Sequence, residues 1–69
     1  MDPIRDLAIV SSLHAQVDEL AGRVTTLADG YRATPDSSVA SELYSAERAL
    51  LAVRRSFERV TRLLESVAD

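Results

Sequence analysis

The chain has 69 residues, with eleven acidic and eight basic side chains, one histidine and no cysteine. That composition excludes a disulfide-stapled fold and a thiolate metal centre, and it leaves room for one small domain, residues 1–69, too small to be comfortable without a partner. The net charge of −3 disfavours broad affinity for nucleic acid.

No apolar run reaches the roughly 18 residues of a membrane span. The start, MDPIRDLAIV, lacks the basic character of a secretory signal. A cytoplasmic protein without membrane association is therefore expected. Its basic residues are all arginine, with neither lysine nor asparagine present, as in a GC-rich bacterial coding sequence.

The first element is a helix expected over residues 3–29. Val10, Leu13, Val17, Leu20, Val24, Leu27 and Tyr31 recur at alternating spacings of three and four, a heptad pattern with valine at a and leucine at d. Asp2 is placed to cap its N-terminus and Pro3 to occupy the first helical position. Gly30 suits a left-handed residue after its end. Residues 30–34 form the turn. Thr34 and Pro35 repeat the cap-and-proline pair, and a second helix is expected over 35–67, carrying Val39, Leu43, Ala46, Leu50, Val53, Phe57, Val60, Leu64 and Val67.

The two stripes match when the chain folds back on itself. Pairs whose numbers sum to 70, such as Leu20 with Leu50 and Leu13 with Phe57, set a against d in successive layers. Asp6 breaks the pattern at the open end, where Ile4 and Leu7 are expected to take over. The predicted fold is all-α: an antiparallel two-helix hairpin, a helical coiled coil.

One seam between two helices buries little, and burial at about 25 cal/mol per Å2 barely offsets an ordering cost of about 1.5 kcal/mol per residue. Apolar residues also lie beside the seam. One flank offers Leu7, Ala21, Ala28, Ala40, Tyr44 and Leu51, the other Ile9, Ala49 and Leu63. The first is the expected protein interface, through which two hairpins form a homodimeric four-helix bundle. Gly22, at the back of the first helix, either allows close approach of another helix or is tolerated at about 1 kcal/mol.

His14 with Asp18 supplies only two ligands and reads as an ion-paired flank residue, not a metal site. Arg48, Arg55 and Arg62, with Arg59 beside them, form a basic stripe on the second helix suited to phosphates, balanced by Glu58 and Glu65. No nucleophile with its base, glycine-rich phosphate loop or enclosed carboxylate pair is present, so neither an enzyme nor a cofactor is expected.

In architecture the chain resembles the small plasmid-encoded Rop proteins, hairpins that dimerise into four-helix bundles and bind RNA. The resemblance covers the whole length and rests on architecture, without a shared motif. The bend, Asp29-Gly30-Tyr31, lacks the Trp-x-Gly signature of the WXG100 hairpins. The expected function is a non-enzymatic interaction module, an adaptor, regulator or small structural subunit binding itself and another protein. The alternatives are a Rop-like nucleic-acid binder using the arginine stripe and a regulator sensing a phosphorylated ligand.

Overall fold

A computed structural model describes residues 2–68. Two helices, α1 (Pro3–Tyr31) and α2 (Ser37–Ala68), pack against each other as an antiparallel hairpin measuring 53 × 14 × 13 Å. Neither helix is long and apolar enough to cross a membrane.

The start of α1 is as expected. Asp2 is extended, its carboxylate accepts the Arg5 N–H at 3.1 Å, and Pro3 opens the helix. Its end differs. Gly30 does not adopt positive φ and remains inside the helix, which runs on to Tyr31. Thr34 supplies the stop, because both its hydroxyl (2.8 Å) and its N–H (3.2 Å) donate to the Tyr31 carbonyl. The same hydroxyl accepts the Asp36 N–H at 3.2 Å, so one threonine serves both sides of the bend. The second helix starts at Ser37, two residues later than expected, after a tight turn in which Val39 N–H donates to the Asp36 carbonyl at 2.9 Å.

The hairpin topology is as predicted, but its seam is rotated. Four side-chain pairs cross between the helices: His14–Glu58, Asp18–Arg54, Thr25–Glu47 and Asp29–Tyr44. The first three pairs sum to 72 and the fourth to 73, so α2 is slid by about two residues, roughly 3 Å, from the expected register. The side chains facing inward are those at a and e. Val10, Val17 and Val24 of α1 are joined by Leu7, His14, Ala21 and Ala28, while Leu43, Leu50, Phe57 and Leu64 of α2 are joined by Ala40, Arg54 and Thr61. Ala21, Ala28 and Ala40 are the buried residues, at 7%, 0% and 3% exposure.

The d rows, expected inside, lie outside. Leu13, Leu20 and Leu27 are 39%, 47% and 53% exposed, and Val53 and Val60 41% and 36%. With 100° per residue, turning from an a/d to an a/e seam rotates each helix by roughly 50°. The physical reason is the width of the α1 stripe, which is apolar at a, d and e. Alanine at e lets the two backbones come close, whereas leucine at d would hold them apart. At the open end Leu7 joins the seam as expected, but Ile4 points away at 74% exposure.

Candidate interaction surface

The rotated seam gives the hairpin two unlike faces. Measured from the seam, the d row lies about 80° to one side on each helix. Because the helices run in opposite directions, those two sides fall on the same face of the hairpin. Leu13, Leu20 and Leu27 therefore stand beside Val53, Val60 and Ala46, with the half-buried a residues forming the floor between them. Ile9 and Leu63 border this face on its two outer edges. Its shallow depressions, one lined by Leu20, Arg23, Val24 and Leu27 and another by Ser38, Val39, Glu42, Leu43 and Ala46, are open to solvent.

This aliphatic face is not the flank expected from the sequence. Ala21, Ala28 and Ala40 are buried against the facing helix, and Leu7, Tyr44 and Leu51 are half-buried along the seam. The chain itself covers most of the surface those six residues were expected to offer. The second flank, with Ile9 at 47% and Leu63 at 67% exposure, is the open one.

The opposite face is ionic. His14 Nδ1 lies 3.3 Å from Asp18 and Nε2 3.6 Å from Glu58, contacts that become charged pairs when the imidazole is protonated. The Arg54 guanidinium reaches Asp18 at 3.1 Å and Glu58 at 4.0 Å, closing a four-membered cluster across the seam. All four groups are partly solvated, so each pair is worth roughly 0–1 kcal/mol. Among the described residues no cluster of three or more His, Cys, Asp or Glu is arranged to hold a metal.

Nearer the turn, the Thr25 hydroxyl sits between the Ala21 carbonyl and the Glu47 carboxylate. The Tyr44 hydroxyl donates to Asp29. That hydrogen bond, then desolvation and the charge of Asp29, raises the Tyr44 pKa above the ordinary phenol value.

The arginine stripe is exposed along the outside of α2. Glu58 lies one turn from Arg54, 4.0 Å away, and also reaches His14 across the seam. Arg59 donates to the Ser56 hydroxyl at 2.9 Å, and none of Arg48, Arg55, Arg59 and Arg62 joins an ion pair among the described residues. Gly22 lies on the outer side of α1 with no atom within 4 Å of the position a Cβ would take.

Comparison with models of known protein families, with curated proteins and with solved structures finds no match.

Proposed function

We propose that this chain is a non-enzymatic protein-interaction module that works as a homodimeric four-helix bundle, its two hairpins joined through the aliphatic face. The observation that carries this reading is the pairing of two facts: among the described residues no large side chain is fully buried, while the d rows of both helices form one apolar strip along the hairpin. In a four-helix bundle each helix has two neighbours, and the bundle centre lies between them. The a and d rows flank that direction here, so one helix partner covers a and e, and a second copy would cover d.

The size is adequate. A face of 53 by 14 Å has a footprint of roughly 700 Å2, close to the roughly 800 Å2 per partner of a standard stable interface. Such a dimer keeps the ionic face and the turn in water for another protein, which suits an adaptor, regulator or small structural subunit. Light scattering on the purified chain tests the dimer: twice the 7.5 kDa chain mass at micromolar concentration is expected, and the single-chain mass there would remove the proposal.

A second reading is supported by the arginine stripe, whose four guanidinium groups form no ion pair among the described residues and lie away from the aliphatic face. A dimer would present two such stripes to phosphates. A salt-dependent shift of labelled RNA or DNA, lost when Arg48, Arg55, Arg59 and Arg62 become glutamate, would favour this reading. Unchanged mobility at low salt would discard it.

A further inference from the structure

Two hairpins can stack through their aliphatic faces in two symmetric ways. A two-fold axis along the bundle sets both turns at the same end and lays α1 on the partner's α2. An axis across the bundle sets the turns at opposite ends and lays each helix on its own copy. The d rows accept either, because Leu20 can meet the partner's Val53 or the partner's Leu20 with similar volume.

The outer edges of the face discriminate. The crossing pairs fix the axial levels of the hairpin, since a residue of α1 stands level with the residue of α2 that completes a sum of 72. The edge of α1 carries Ile9, Gln16, Arg23 and Gly30 at heptad spacing, and that of α2 carries Leu63, Ser56, Ala49 and Glu42. These eight residues fall at four common levels. With the turns at the same end, Ile9 meets the partner's Leu63, Gln16 meets the partner's Ser56, Arg23 meets the partner's Ala49 and Gly30 meets the partner's Glu42.

Apolar then meets apolar, polar meets polar, and each long charged side chain lies over a small residue. With the turns at opposite ends and Leu20 at the centre, Ile9 would face a glycine and Leu63 would face the carboxylate of Glu42. That arrangement strands the two most prominent edge hydrophobics, at 47% and 67% exposure, and desolvates a charge without a partner.

We infer that the dimer is assembled with both turns at the same end, α1 of one hairpin against α2 of the other, and with Ile9 and Leu63 joined across each outer seam. This rests on the homodimer proposed above. It brings the two copies of the Arg32–Asp36 turn side by side.

The chain has no cysteine, so Ala33→Cys, in the exposed turn, accepts a single spin label. Dipolar spectroscopy and mass are read on the same sample. With interhelical spacings of about 8–10 Å, same-end turns put the labels within roughly 25 Å of each other. Opposite ends separate them by nearly the 53 Å length of the hairpin. A short distance with dimer mass supports the inference. A long distance with dimer mass overturns it and spares the homodimer. The single-chain mass with no dipolar coupling overturns both.

A second measurement mixes Ile9→Cys chains with Leu63→Cys chains under mild oxidation. Mixed disulfide dimers are expected to dominate over either self-linked species, and their absence from a sample of dimer mass would also overturn the same-end arrangement.

Discussion

Leu20 lies at the middle of the aliphatic face, and replacing it probes the proposed association with little change inside the hairpin. It is 47% exposed in the isolated hairpin, so a second copy would bury about half a leucine, worth about 1 kcal/mol. The substitution acts once in each protomer. Leu20→Ala is therefore expected to weaken the dimer by about 2 kcal/mol, roughly thirtyfold in Kd. Leu20→Glu adds two carboxylates with no cation opposite them, each costing several kcal/mol to desolvate. The total exceeds about 5 kcal/mol, more than a thousandfold. Sedimentation equilibrium should find a dimer for the parent chain, a concentration-dependent mixture for Leu20→Ala and a monomer for Leu20→Glu. The separated hairpin should also melt earlier, because so small a core is marginal alone. Arg48→Glu, on the outside of α2, is the control and should keep the parent mass. If Leu20→Glu kept both the mass and the melting temperature of the parent chain, the aliphatic face would not be the interface.

Gly30→Ala should stabilise the chain by up to about 1 kcal/mol in chemical denaturation, because Gly30 is helical, lacks positive φ and has open space where a Cβ would go; a loss of stability would restore the left-handed cap expected from the sequence. Tyr44→Phe tests the bond to Asp29. A phenol whose folded-state pKa is raised contributes stability that is complete below about pH 10 and lost as pH climbs through the raised value. The advantage of the parent over Tyr44→Phe should therefore close above pH 10, whereas a gap constant across that range would contradict the assignment. His14→Leu should leave the melting temperature unchanged or raise it, since solvated ion pairs are worth roughly 0–1 kcal/mol and leucine adds burial at the seam. A loss above about 1.5 kcal/mol would assign the ionic cluster a structural weight beyond that of surface pairs.

Topology was legible because helix signals are local. Asp2 and Pro3 mark one start, Thr34 and Pro35 lie at the bend, and the three-four spacing of Val, Leu and Phe runs through both halves. The alignment of the stripes came within two residues for the same reason, since a short turn leaves little freedom to slide. The rotation of the seam was not legible, because it depends on which of three apolar rows on α1 the partner helix selects. A heptad read as a two-stranded seam places Leu13, Leu20 and Leu27 inside. The clue to the contrary was Ala21 and Ala28 in the adjoining row, with Ala40 in the same row of the other helix: small residues at e permit close approach, and an a, d and e stripe belongs to a helix with two neighbours. Glu58 pairs with Arg54 one turn before it, as the spacing allows, and with His14 across the seam, and among the described residues no carboxylate pairs with the arginine stripe. Gly30 misled for a different reason, since Thr34 stops the helix by hydrogen bonding without needing a left-handed residue.

The most direct test is the solvent exposure of individual methyl groups in the unmodified chain, read by paramagnetic relaxation from an inert soluble probe. The methyls of Leu13, Leu20, Leu27, Val53 and Val60 should be shielded as well as those of Leu43 and Leu50, while Ile4 remains open. Strong relaxation at the first five, with Leu43 and Leu50 protected, would mean that the hairpin stands alone in solution with its aliphatic face uncovered.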